Sequence, residues 1–269
     1  MCLIAVAWNI RPDLPLALIA NRDEFHDRPS AAAGFAADAP TVYGGRDLVQ
    51  GGSWLLASSR RRLAAVTNVR HGAAPEAVAR SRGWLVRDFV HGDMPAADFA
   101  RGLAQTAHSY GRFNLLVWDG AALWYAGNHP RHTAAAVAPG LHAMSNGAFD
   151  APWPKATSAT RTLRDWLDAT SPAPYPPEDE LARVEPLFTG LRDTRIAPDA
   201  ALPDTGVGLA LERRLSPAFI KDARYGTRCS SVVLADRDGL WLHERRFDAA
   251  ARATGSSHQW LGPTSTQPR

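Results

Sequence analysis

The chain opens with two short apolar runs, Cys2–Trp8 and Leu16–Ala20, joined by the proline-containing turn Arg11–Pro15. Runs this short, bounded by turn residues, read as buried strands. Two strands joined by so short a turn pair antiparallel. The pattern recurs at Ser53–Ser58 and Leu63–Val69, with Arg60–Arg62 between them read as a solvated turn. The intervening stretch from Phe25 to about Val42 is rich in Ala, Gly and Pro and predicts a loop. Apolar residues at helical spacing (Trp84, Leu85, Phe89) predict a helix over Ser81–Val90, and a second follows over Ala96–His108. Strands return at Phe113–Trp118, Leu123–Ala126, near Ala134–Val137 and at Leu141–Met144. Residues 155–169 and 178–189 read as helices, and 190–228 as irregular. A last hairpin joins Ser231–Ala235 to Leu240–Phe247 through Asp238-Gly239.

Strands that arrive as hairpins predict antiparallel sheets, and the two helical blocks are placed to cover them. The expected class is α+β. A four-layer α/β/β/α sandwich of two antiparallel sheets fits the order, one of several α+β arrangements that periodicity allows. No repeat or linker divides the chain, so residues 1–253 are expected to form one domain and the polar stretch 254–269 a disordered tail. A composition of 45% hydrophobic and 21% charged residues supports a large core. The formal charge of +3 is spread along the chain and predicts no nucleic-acid surface. No window reaches the roughly 18–20 apolar residues of a membrane span, and no signal peptide is evident, so no stable membrane insertion is expected. Two cysteines at opposite ends suit a reduced, cytoplasmic protein. No pattern bears on oligomeric state.

Chemistry is signalled first by position. Cys2 follows the initiator Met directly, and a small residue there permits Met removal. The freed terminus would carry a thiol and an amine of pKa near 7.7–8.0, which can serve as the thiol's own base. The polar string Asn21-Arg22-Asp23-Glu24 ends the second run, and hairpin pairing returns that end towards Cys2. An arginine there favours the thiolate, and a carboxylate orients the amine. Three further polar residues end apolar segments: Asn68, Asn146 and Arg228. Any of these alone is an ordinary turn or surface residue. No Cys-x-x-Cys, His-Glu-x-x-His or Walker motif is present, and Gly206-Val207-Gly208 lacks the setting of a nucleotide-binding loop.

Taken in order, the motifs resemble those of the NRDE family, also called the transport and Golgi organisation protein 2 family. They are Met1-Cys2, Asn21–Glu24 with Arg28-Pro29, Gly44–Asp47, Gly51–Leu55, Thr67–Arg70, Ser81–Gly83, Phe113–Leu115, Ser145-Asn146, Trp153 with Lys155, and Tyr225–Arg228. That family is similar in turn to cysteine N-terminal nucleophile (Ntn) hydrolases of the penicillin V acylase and bile salt hydrolase type. The resemblance implies an Ntn sandwich with Cys2 as nucleophile and Arg22 and Asp23 beside its thiol and amine. It implies Asn68 and Asn146 in the oxyanion hole and amine network, and Arg228 completing the charged cluster. In those acylases the arginine and aspartate are separated, so Glu24 is an alternative to Asp23. Cys229 stands where the family usually has serine and reads as a buried strand residue.

Two functions follow as expectations. The favoured one is an amidohydrolase for a small-molecule acyl amide, needing no cofactor. The alternative is a non-catalytic carrier of haem, acyl-coenzyme A or lipid on the same scaffold. With Arg22 and Arg228 both facing Cys2, the thiol pKa is expected below that of free cysteine.

Overall fold

The computed structural model describes residues 2–72, 79–170 and 180–262. The opening hairpin is longer than its apolar core, with β1 (Cys2–Arg11) and β2 (Leu14–Phe25) paired antiparallel. Two strands, β3 (Ser30–Ala36) and β4 (Ala39–Asp47), replace the loop expected there. Small side chains hide this hairpin from sequence patterning, and it is held instead by the cross-strand Phe35–Tyr43 contact at 5.2 Å and by Ala33 N–H donating to Glu244. The second expected hairpin is present as β5 (Leu55–Ser58) and β6 (Arg62–Asn68). Helices α1 (Gly83–His91) and α2 (Ala96–Gly102) follow, the latter decaying into 3-10 turns through Ser109. Then come β7 (Phe113–Trp118), β8 (Leu123–Gly127), β9 (Thr133–Ala136) and β10 (Gly140–Met144), before α3 (Pro154–Ala169) and α4 (Glu180–Leu191). The irregular region holds the short α5 (Leu209–Leu215) and runs into β11 (Tyr225–Ala235), which pairs with β12 (Leu240–Phe247).

The first half of the stretch expected to be a disordered tail is a strand: β13 (Ala253–Leu261) closes the edge of its sheet. Without it the outer edge of β12 would present unpaired backbone groups. Its alternate residues also stack, Trp260 on Trp241 at 5.7 Å and His258 on His243 at 5.9 Å. Residues 263–269 lie outside the described residues.

One sheet runs β10-β1-β2-β11-β12-β13 and the other β3-β4-β5-β6-β7-β8-β9, antiparallel throughout. Alternation divides each strand between two cores. Ile4, Val6, Leu16 and Leu18 meet Tyr43, Leu63, Leu116 and Trp118 between the sheets. Leu3, Ala5, Ala17 and Ile19 face α3 and α4, while Ala64, Val66, Leu115 and Val117 face α1 and α2. The expected α/β/β/α sandwich is the architecture of the chain. No helix among the described residues is long and apolar enough to cross a membrane.

The Arg60–Arg62 turn is not merely solvated. Arg62 is buried, stacks 4.0 Å over Phe89, and donates to Phe89 O at 3.0 Å and Met94 O at 2.7 Å. Arg60 reaches the carbonyls of Val90, His91 and Gly92. These two cations satisfy the free carbonyls at the C-terminus of α1 and oppose its dipole.

Candidate active site

The first residue of β1 and the end of β2 meet at one end of the sandwich. Cys2 is paired directly with Arg22 across the ladder, so their side chains share the face between the sheets. Arg22 is buried, lies 4.1 Å over the Trp54 ring and donates to Ser30 Oγ at 3.0 Å. Trp54 reaches that position because Gly45 leaves space for it: a Cβ there would lie 2.1 Å from the indole. Gly52 and Gly83 touch through their backbones, where a Cβ on Gly52 would sit 2.5 Å from Gly83. These close approaches account for three of the glycines in the sequence motifs.

Cys2 is half-buried in a pocket lined also by Arg22, Asp23, Glu24, Asp47, Trp54, Asn68 and Arg82. Burial pushes its thiol above the ordinary cysteine range. The positive amino terminus, Arg22 and a hydrogen bond from the Asp23 N–H pull it down, while the Asp23 charge adds to the rise. The low thiol pKa expected from the sequence is therefore corrected: desolvation outweighs the cations, and one of the two expected cations is absent.

That cation is Arg228. Pairing of β11 with β2 slips at this point, so that Thr227 faces Asp23 and Cys229, not Arg228, faces Arg22. Arg228 is the extra residue of a β-bulge. Its guanidinium donates to Phe25 O at 2.7 Å and Arg28 O at 3.2 Å, and it does not line the Cys2 pocket. Cys229 is buried beside Glu244, and its thiol is pushed well above the ordinary range by burial and that carboxylate.

Asp23 turns to the other face of the sheet, towards the helices. Its Oδ1 accepts from Thr227 Oγ1 at 2.6 Å, and Tyr225 donates to its carbonyl at 3.0 Å. Burial raises this carboxyl; Lys155, the amino terminus, the Thr227 hydroxyl and Arg22 oppose the rise. Glu24 instead lies 4.0 Å from Arg22 and 3.8 Å from Arg28, on the rim. Between the two carboxylates, Asp23 is the buried one. Asn21 is structural: its side-chain amide donates to Leu191 O and Ala218 O and accepts from Ser230.

The two asparagines have separate places. Asn68, at the end of β6, lines the pocket, and its side chain makes no hydrogen bond among the described residues. Asn146 is fully buried and does not line the pocket; its amide donates to Asn68 O at 2.9 Å and its carbonyl faces Ser145 and Lys155. Ser145 in turn donates to Cys2 O at 3.2 Å, and Thr67 donates to Ser145 O at 2.6 Å. Residues 145–146 therefore tie the start of β1 to the end of β6. Sequence reading gave no role to Thr227, Tyr225 or Lys155, although all three fall within its motifs. Their only sequence signal was polarity next to apolar runs. Trp84 does not line the pocket but donates to Gln50 O at 2.9 Å. No group of three or more His, Cys, Asp or Glu residues among the described residues is arranged to hold a metal ion.

Residues 1–249 match the protein family described as Transport and Golgi organisation 2. The chain is 33% identical over 258 residues to the Transport and Golgi organization protein 2 homolog of Bos taurus, and 31% identical over 255 residues to that of Homo sapiens. Each match covers 89% of this chain and 90% of the relative. Among solved structures, it is similar to a Caenorhabditis elegans N-acylethanolamine-hydrolyzing acid amidase ortholog, with TM-score 0.49, 10% identity and coverage of 87% of this chain and 92% of that one. It is also similar to the C2A mutant of the conjugated bile acid hydrolase from Clostridium perfringens, with TM-score 0.46, 8% identity and coverage of 96% and 92%.

Proposed function

Because the chain belongs to the Transport and Golgi organisation 2 family, we propose that it works as a cysteine-type N-terminal nucleophile hydrolase acting on a non-peptide amide or related acyl bond. One observation carries this reading: Cys2, its ladder partner Arg22 and Asn68 line a single pocket. Removal of Met1 leaves an amine on the residue that bears the thiol. The amine takes the thiol proton, and Sγ attacks the acyl carbonyl carbon. Charge developing on the carbonyl oxygen is stabilised by the side-chain amide of Asn68. The ammonium returns its proton to the leaving nitrogen, the amine product departs, and a thioester remains on Cys2. Water, deprotonated by the same amine, then releases the acid and restores the thiol. Asp23 holds the ammonium, and Arg22 favours the thiolate that burial disfavours. Nothing in this sequence of steps requires a cofactor.

A second reading draws on the raised thiol pKa, which keeps Cys2 largely protonated at neutral pH, and on relatives named for transport. In it the pocket carries haem or an acyl-coenzyme A without turnover. Intact-mass measurement of the protein incubated with a panel of N-acyl amides and thioesters separates the two. The hydrolase reading expects a Cys2 adduct, absent in Cys2→Ala, together with product release. Saturable single-site binding of haem or acyl-coenzyme A, with no adduct and no product across the panel, would replace it with the carrier.

A further inference from the structure

Lys155 stands at the second position of α3, only 4% exposed. Both circumstances disfavour an ammonium group: burial removes its water, and the N-terminal end of a helix carries partial positive charge. A methionine of similar length would fill the space at lower cost if packing were the whole role. The groups acting on it explain the charge. Asp23, Cys2 and Glu212 support the ammonium, Arg70 opposes it, and burial brings its pKa down to about 8. Its Nζ donates to Leu215 O at 3.0 Å and lies 3.5 Å from Asn146 Oδ1. Asn146 in turn donates to the carbonyl of Asn68.

We propose that Lys155 is a positioning residue of the Cys2 centre, whose buried positive charge supports the Asp23 carboxylate and the Cys2 thiolate and sets the Asn146–Asn68 pair. The proposal rests on Cys2 being the reactive group of the pocket, but not on any particular substrate. Lys155 touches no reacting atom. It acts from the helix-covered face of the sheet, through Asp23, and through Asn146 at the junction of the two sheets.

The test is the rate at which iodoacetamide alkylates Cys2, read by peptide mass between pH 7 and pH 9.5, in the wild type and in Lys155→Met. One unit of thiol pKa corresponds to tenfold in thiolate fraction, so the variant should react about tenfold more slowly at pH 7. The two rates should then converge above pH 9, where Lys155 of the wild type is itself neutral. The titration of the terminal amine is common to both proteins and cancels in the ratio. A merely structural lesion would give a deficit that does not change with pH. Equal rates at pH 7, or the same deficit at pH 7 and 9.5, would overturn the proposal. Lys155→Gln is the second variant should the first fail to melt cooperatively. Because alkylation needs no substrate, this outcome is separate from the amide panel: coupling can hold while hydrolysis fails, and the reverse.

Discussion

Cys2 on β1 and Arg22 on β2 are direct partners across the antiparallel ladder, and Cys229 on β11 is the partner of Arg22 on its other side. One buried guanidinium is thus flanked by two thiols. What distinguishes them is access and neighbours: Cys2 opens onto a pocket, whereas Cys229 is enclosed beside Glu244. The chemistry proposed for Cys2 depends on that asymmetry.

The mature protein is expected to begin at Cys2. Intact mass after bacterial expression checks it. A fraction that keeps Met1 should fail to form acyl adducts under conditions where the processed fraction reacts, because its amine lies one residue away from the thiol that needs it.

Iodoacetamide should label Cys2 well before Cys229, and both slowly at neutral pH, since burial raises both thiols and raises Cys229 far more. The rate at Cys2 should climb as pH rises through its elevated pKa. Arg22→Met removes a charge that favours the thiolate, so its profile should move to higher pH by about one unit or more. An unmoved profile would mean that Arg22 serves only to seat Trp54.

Asn68→Ala and Asn146→Ala should differ in kind. Losing one oxyanion donor costs about 2.7–4 kcal/mol of barrier, a roughly hundred- to thousandfold drop in turnover. Asn68→Ala should show it with little change in melting temperature, since that side chain is not held in the core. Asn146→Ala removes the buried side-chain donor to the Asn68 carbonyl and one of the two polar neighbours of Lys155 Nζ, so it should destabilise the protein by about 1–3 kcal/mol as well as slow it. Turnover and thermal melting of both variants check the contrast.

Lys155 makes a prediction about stability. Its folded pKa, about 8, lies below its ordinary value of 10.5. Between those values the unfolded chain binds more protons, so stability contributed by this site rises with pH across that window. Below about pH 8 the site contributes a constant penalty. In Lys155→Met the rise should vanish from a series of denaturant melts between pH 7.5 and 10, and the variant should be no less stable than the wild type at pH 7.

Arg62→Ala removes two charge-assisted hydrogen bonds to the end of α1 and a stacked contact on Phe89. A loss of about 2–4 kcal/mol is expected, with the Cys2 alkylation rate unaffected in the folded protein. Urea unfolding measures the first and peptide mass the second.

The layers were legible in the sequence because Cys2–Trp8, Leu16–Ala20 and Phe113–Trp118 are short apolar runs bounded by turn residues, which read as buried strands, and because hairpin turns leave little choice of partner. The Cys2–Arg22 juxtaposition was legible for the same reason: two strands joined by one short turn return the end of the second to the start of the first. The strands β3, β4 and β13 were not. Their residues are small or polar, and they are ordered by the unsatisfied edges of neighbouring strands and by stacking on side chains distant in sequence, such as Trp241 and His243.

The sequence by itself determined the fold class, the pairing of the opening hairpin and which residue types arrive at the head of β1, since these follow from local periodicity and from the length of the first turn. Only the tertiary structure decided which of those residues meet the thiol. A single extra residue in the β11 ladder turns Arg228 away and puts Cys229 in its row. Burial, which depends on all four layers, raises the Cys2 thiol that its neighbouring charges alone would lower. Lys155 comes within 3.5 Å of Asn146 only because α3 packs across the sheet that holds the head of β1. Register and desolvation are properties of the assembled sandwich, and no local pattern of residues encodes them.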